Sequence, residues 1–233
     1  MEHKVHVIVS RYNEYVDFVK DLLNFVDVII IYNKGFNDHL FKEYIPSPID
    51  LKKIKIIKLN NVGRINHSIV YHILTNWEYL LLNSDTYLVS IPGSIKMSPY
   101  KGMYLNKLKK EMKKKGTVSF YSPRTKIVDS SYNYISEGNH QSNIYCNVSN
   151  SPFIRSQWNS FVEWKKEIID PVLPVQQEIS IISLRSMFMV KNEMITRPGK
   201  AVYQRILNSI DYGDNLENCQ YVERIWAHLF NLS

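Results

Sequence analysis

Val28-Ile29-Ile30-Ile31-Tyr32 is the segment that most limits how this chain can fold. Five consecutive apolar, mostly β-branched residues offer no polar face, so the run predicts a strand covered on both sides at the centre of a sheet. It stops at Asn33-Lys34-Gly35, a turn signal. Val5 to Ser10 predicts a shorter strand of the same kind, running into the polar set Arg11-Tyr12-Asn13-Glu14. Between the two, Phe18, Val19, Leu22, Leu23 and Val26 recur at helical spacing and predict an amphipathic helix from Tyr15. Beyond Pro46 and Pro48, Ile54 to Leu59 predicts a third strand, and Ile65, Ile69, Val70, Ile73 and Leu74 a second helix. Tyr79 to Leu82 is expected to be a fourth strand that empties into Asn83-Ser84-Asp85-Thr86. Strands alternating with helices predict an α/β, Rossmann-like, mostly parallel sheet flanked by helices. Ligands of such sheets gather at the carboxyl ends of the strands, where all four polar loops are expected to lie.

The rest of the chain is less regular. Six lysines between Lys107 and Lys115 surround Leu105, Leu108 and Met112, which make a narrow helical stripe. Residues 119–160, rich in Tyr, Ser and Asn, predict irregular structure with short strands. Phe161 to Ile169 is expected to be a helix stopped by Pro171, Ile181 to Val190 a strand or strand pair, and Ala201 to Ile210 and Val222 to Phe230 two closing helices. The chain has 233 residues, 45% hydrophobic and 22% charged, and shows no repeat or low-complexity linker, so a single domain is the economical reading. Two cysteines, Cys146 and Cys219, are too few for a disulfide scaffold or a thiolate metal site, and are expected to be packing residues. No run approaches the roughly 18–20 apolar residues of a membrane span. Met1-Glu2-His3-Lys4 leads directly into a strand rather than a signal-peptide core, so a cytoplasmic location is expected. The net charge of +7 favours polyanionic partners without choosing among them. No zinc knuckle, recognition helix or RNP-type motif points to nucleic acid.

Several residues could carry chemistry. A carboxylate directly after a buried strand is held rigidly at the rim of a cleft, so Asp85 is a candidate ligand for Mn²⁺ or Mg²⁺ bridging to a diphosphate; a local turn with Thr86 is the plain alternative. Gly63 permits close backbone approach, Arg64 offers a planar fork for phosphate oxygens, and the helix that follows favours anions at its start. Arg11, Tyr12, Asn13, Glu14 and Lys34 could line a nucleoside pocket or could serve as caps and turns. His67 and His72 stand five apart and share no helical face, which argues against a histidine zinc site, while His140 could complete a metal shell. Lys107 to Lys115 could touch an anionic surface or could be a solvated helix face.

The succession Val7-Ile8-Val9-Ser10-Arg11-Tyr12-Asn13-Glu14, Asn60-Asn61-Val62-Gly63-Arg64 and the apolar run ending Asn83-Ser84-Asp85 resembles the nucleotide-sugar half of GT-A fold glycosyltransferases. It is also similar to a poorly characterised family with arginine-tyrosine-asparagine-glutamate, tyrosine-asparagine-lysine-glycine and asparagine-valine-glycine-arginine motifs. That family's later pattern recurs in Met187-Phe188-Met189-Val190, Arg197-Pro198, Tyr203 and Glu223-Arg224-Ile225-Trp226. The resemblance implies a GT-A domain with residues 1–90 binding the nucleotide sugar and 91–233 the acceptor. The activity it implies is metal-assisted transfer from a nucleotide-diphosphate sugar, a uridine one, to a saccharide hydroxyl. In that scheme Asp85 takes the last position of an aspartate-x-aspartate metal motif, and Asn83 replaces the first, giving a weaker neutral ligand. Arg64 would face the diphosphate, Arg11 to Glu14 with Lys34 would line the nucleotide site, and Glu223 would be the acidic group near the acceptor, with Glu178 second. The alternatives are a nucleotidyltransferase or an inactive nucleotide-sugar-binding protein. Heavy use of Lys, Ile and Asn is the usage of an AT-rich genome, such as that of a large DNA virus or a low-GC microbe.

Overall fold

The computed structural model describes residues 3–96, 99–114, 119–123, 125–127, 154–173, 181–183, 186–214 and 216–230. A six-stranded sheet runs in the order β3-β2-β1-β4-β8-β5. Its strands are β1 (Val5–Arg11), β2 (Val28–Asn33), β3 (Ile54–Lys58), β4 (Tyr87–Pro92), β5 (Phe120–Tyr121) and β8 (Phe188–Lys191). β1 pairs in parallel with both β2 and β4, β2 pairs in parallel with β3, and β8 lies antiparallel between β4 and β5. A separate two-stranded sheet joins β6 (Thr125–Ile127) to β7 (Ile181–Ser183). The sheet is therefore α/β and mostly parallel, as the alternation of elements predicts.

Side-chain alternation along the strands separates two apolar layers. Val5, Val7, Val9, Ile29, Ile31, Tyr87, Val89 and Ile91 point into one, and Ile8, Ile30, Tyr32, Leu88, Phe188 and Val190 into the other. The first layer is closed by Phe18, Val19, Leu22, Leu23 and Val26 and by Leu105, Leu108 and Met112 of α4 (Pro99–Lys114). The second is closed by α2 (Arg64–Thr75), α5 (Phe161–Ile168), α7 (Lys200–Ile210) and α8 (Glu217–Phe230). Three further helices are short: α1 (Pro48–Lys53), α3 (Trp77–Leu82) and α6 (Asn192–Thr196). At about 25 cal/mol per Å² of apolar surface removed from water, burial of side chains such as Trp164, Trp226 and Phe188 dominates what holds these layers together.

Two expected elements differ. The segment after Tyr15 buries the apolar residues foreseen, but it is a 3₁₀ turn, Asp17–Asp21, rather than an α-helix. Asp17 explains this: its carboxylate accepts the backbone N–H groups of Lys42, Glu43 and Tyr44 at 2.7–3.2 Å, and Val16 N–H bonds Leu40 O at 2.8 Å, so the segment is pinned to the loop beside it. The larger correction concerns Tyr79 to Leu82. It lies in helix α3, and the fourth strand is Tyr87–Pro92. Leucine favours helix, whereas Tyr87, Val89 and Ile91 are β-formers that alternate into the sheet. Asn83-Ser84-Asp85 consequently precedes the strand and sits on the amino edge of the sheet. Among the described residues no helix is long and apolar enough to cross a membrane.

Candidate site at the carboxyl edge

The strand order reverses between β1 and β4, since β2 and β3 extend to one side of β1 and β4 lies on the other. A crevice outside the carboxyl ends of the strands is expected at such a reversal. The two ends stay close there: a Cβ on Gly93, just after β4, would come within 3.0 Å of Arg11 Cα and of Ser10 O. Ser10 Oγ lies 3.0 Å from Ser68 Oγ of α2, which ties the helix to the same rim.

Arg11 ends β1 and is fully buried. Its Nε donates to Glu14 O at 2.7 Å, Nη1 to Asn33 Oδ1 at 2.6 Å and to Asn37 O, and Nη2 to His39 O at 3.1 Å. The guanidinium is thus a staple between the β1 and β2 loops, and its fork is already occupied by protein acceptors. Glu14 and Asn13 are drawn into the same lattice. Glu14 Oε2 accepts from Tyr12 N at 2.7 Å, and Asn13 Oδ1 accepts from Asn37 N at 3.4 Å. A Cβ on Gly35 would meet Tyr12 O at 1.5 Å, so only glycine lets these two loops touch. Tyr12 stands 6.4 Å from Phe36, edge to face, and Phe36 is 87% exposed. This aromatic pair is the part of the rim suited to a flat base. Phe36 was not foreseen from sequence; its place directly after Lys34-Gly35 was the available signal.

Lys34 is buried and spans to the next loop. Its Nζ donates to Val62 O and to Arg64 O, both at 2.5 Å, and its backbone N–H donates to Arg11 O at 2.8 Å. Burial pulls the ammonium down to about 7, against the opposing pull of Cys219, Asp211 and Asp214. Gly63 and Arg64 both adopt left-handed backbone, φ 59° and 49°. The Gly63 N–H donates to Gly213 O at 2.7 Å. The turn delivers Arg64 as the first residue of the 12-residue helix α2, whose leading amides carry partial positive charge.

A group not foreseen from sequence closes the cluster. The loop between α7 and α8 brings Asp211 Oδ1 to 3.1 Å from His67 Nε2, and Asp214 Oδ2 to 3.1 Å from Asn61 Nδ2. Burial, helped by Lys34, holds His67 well below its ordinary value, so its imidazole is neutral and donates from Nε2 to the Asp211 carboxylate. The signal in the sequence was the polar run Asp211-Tyr212-Gly213-Asp214 between two periodic segments. Cys219 is buried and its thiol is pushed up to about 12 by burial, which fits the packing role expected of it. The positive charges of Arg64 and Lys34 oppose that rise, and Glu223, one turn further along α8, adds to it.

The structure therefore gathers Arg11, Tyr12, Asn13, Glu14, Lys34 and Arg64 at the carboxyl edge of the sheet and leaves Asp85 and Asn83 at the amino edge, while Glu223 lies in α8 within electrostatic reach of Cys219. β1 and β4 are in register from Val5–Tyr87 to Ser10–Pro92, so Asp85 lies beyond the amino end of a six-residue strand. At about 3.3 Å per residue that is on the order of 20 Å from the Arg11 rim. Asp85 is 69% exposed and its Oδ1 sits 3.8 Å from Lys191 Nζ. Asn83 Nδ2 donates to Tyr79 O at 2.9 Å, closing the end of α3. Asp85 therefore stands apart from the phosphate-binding residues expected to share its site, with Lys191 as its described ionic neighbour. Among the described residues no three His, Cys, Asp or Glu side chains are grouped to hold a metal ion. His140, Cys146 and Glu178 lie outside the described residues. In comparisons with known proteins, no family model and no curated protein matches the chain.

Proposed function

We propose that the carboxyl edge binds the diphosphate of a nucleotide sugar, a uridine one, and that the protein is a GT-A-type glycosyltransferase acting on a saccharide hydroxyl. The observation that carries this reading is the joining of Lys34 to the Gly63–Arg64 turn at the head of α2, beside the strand reversal. A buried cation held against the turn that carries an arginine into a helix start suits a departing pyrophosphate, because negative charge grows on it as the sugar leaves. In this scheme Arg64 and the first amides of α2 bind phosphate oxygens, and Lys34 supplies charge from behind through the backbone it holds. Tyr12 and Phe36 receive the base. Glu223, a carboxylate of α8 that acts on the same Cys219 thiol as the two cations, is assigned to the acceptor hydroxyl. No step is routed through Asp85. Arg11 acts by fixing the loops and not by touching phosphate.

The test is calorimetric titration with uridine diphosphate, followed by an assay of its release from a panel of uridine-diphosphate sugars. Arg64→Ala should weaken nucleotide binding by about 1.5–3 kcal/mol, the range for hydrogen bonds to charged groups. Equal binding by the variant, or no binding by the wild type, removes the proposal. Binding without turnover would reduce the protein to a nucleotide-sugar binder.

A further inference from the structure

Charge in this chain is concentrated to a degree the candidate site does not use. Helix α4 contains six lysines and one glutamate, so 16 residues carry +5 of the net +7 of the chain. The helix is the crossover that follows β4, and its Leu105, Leu108 and Met112 are buried under the sheet. Met103, Asn106, Lys107, Lys110, Lys113 and Lys114 are exposed. Their spacing of three and four places them on one stripe, turned away from the core. Two lysines of the helix have internal partners: Lys109 Nζ lies 3.3 Å from Asp21 Oδ2, and Lys114 Nζ 2.9 Å from Glu111 Oε2. Among the described residues Lys107, Lys110 and Lys113 pair with no carboxylate. Lys107 stands over the Tyr104 ring at 5.9 Å and Lys113 over the Phe25 ring at 5.6 Å, so aromatic faces support their stems.

We propose that this face of α4 docks the protein on an anionic lipid surface. The stripe is a row of lysine point charges, which suits a plane of headgroup phosphates and carboxylates. Among its described side chains it has no arginine fork for bidentate readout and no exposed aromatic ring on which a base could stack, the features by which nucleic acid is gripped. Met103, 46% exposed at one end of the row, is the apolar residue in position to enter the headgroup layer. Attachment of this kind is reversible and salt-sensitive, because each lysine near such a surface adds only about fivefold to the partition.

The experiment is co-sedimentation of the full chain with vesicles of phosphatidylcholine alone and of phosphatidylcholine mixed with phosphatidylserine. Wild type should bind the mixed vesicles, ignore the neutral ones, and be released by high salt. Replacing Lys107, Lys110 and Lys113 together by Gln should reduce binding on the order of 100-fold, with the thermal unfolding curve retained because all three side chains are exposed. Replacing Lys52, Lys55 and Lys200 by Gln removes equal charge from exposed positions off α4 and should leave binding nearly intact. Equal binding to neutral vesicles, or equal loss in the two triple variants, overturns the proposal. So does tighter binding of a single-stranded RNA through the α4 lysines at the same salt.

Discussion

The two edges of the sheet carry the same kinds of residue and use them in opposite ways. On the carboxyl edge Arg11 and Lys34 are buried and bridge separate loops, each donating to backbone carbonyls of residues more than twenty positions away. On the amino edge Asp85 meets Lys191 at 3.8 Å with most of its side chain in water. A buried charge persists only when its hydrogen-bonding capacity is met, so the first edge must be built to one geometry. A pair at that distance whose carboxylate stands mostly in water is held by little more than a few tenths of a kcal/mol. Rigid placement of charge, not the mere presence of charge, is therefore what distinguishes a candidate site from a decorated loop.

The most severe way to break the comparison is Arg11→Met. It removes the donors for Glu14 O, Asn33 Oδ1, Asn37 O and His39 O while roughly keeping volume. Leaving several buried acceptors without partners should cost about 3–5 kcal/mol, read as a lowered midpoint in urea. A loss under about 1 kcal/mol would show that the rim is not built around this guanidinium. Arg64→Ala sharpens the same comparison from the side of function. Its expected effect of about 1.5–3 kcal/mol falls on nucleotide binding, with the urea midpoint little changed, because its side chain is partly exposed at the helix start.

Lys34 gives the next effect, and its sign follows from linkage. The ammonium is lowered to about 7 in the folded protein, from an ordinary value of 10.5. Below pH 7 it is charged in both folded and unfolded chains. Between about 7 and 10.5 the unfolded chain holds a proton that the folded one lacks, so stability rises with pH across that window. The same deprotonation removes charge from the loop of Arg64. Affinity for an intact nucleotide sugar, whose diphosphate does not titrate in this range, should fall several-fold from pH 6 to pH 8. In Lys34→Met binding should be weak and flat with pH. An unchanged wild-type affinity between those two pH values would detach Lys34 from the site.

Much of the sheet was legible because β1, β2 and β3 combine β-branched runs with polar stops, and α2 repeats its apolar residues at the period of a helix. The fourth strand was not. Residues 77–92 contain two short apolar runs, and a run of four to eight cannot be divided between helix and strand by periodicity alone. Pro92 and Ser90 made the true strand look broken, yet Pro92 ends the strand and Ser90 is buried within it. That one misplacement carried Asp85 to the wrong edge. Arg11 and Lys34 illustrate a different limit. Sequence marks a cation after a strand, but whether its donors face a ligand or a neighbouring loop depends on residues 26 to 30 positions away, such as Asn37, His39, Val62 and Arg64. Asp211 and His67, 144 positions apart, meet only because α7 and α8 close over α2.

The smallest expected effect is also the one that best separates the two edges. Asp85→Ala removes an exposed carboxylate whose described partner is Lys191 at 3.8 Å, and Lys191 Nζ retains the Tyr87 ring at 6.0 Å. The change in stability should stay under about 0.5 kcal/mol. Nucleotide binding should not change, since the substitution lies on the order of 20 Å from the Arg11 rim. If Asp85→Ala instead abolished nucleotide binding while Arg64→Ala left it intact, the ligand would belong to the amino edge. The bridged lattice of Arg11 and Lys34 would then be scaffolding alone, and buried charge in this sheet would mark stability and not a site.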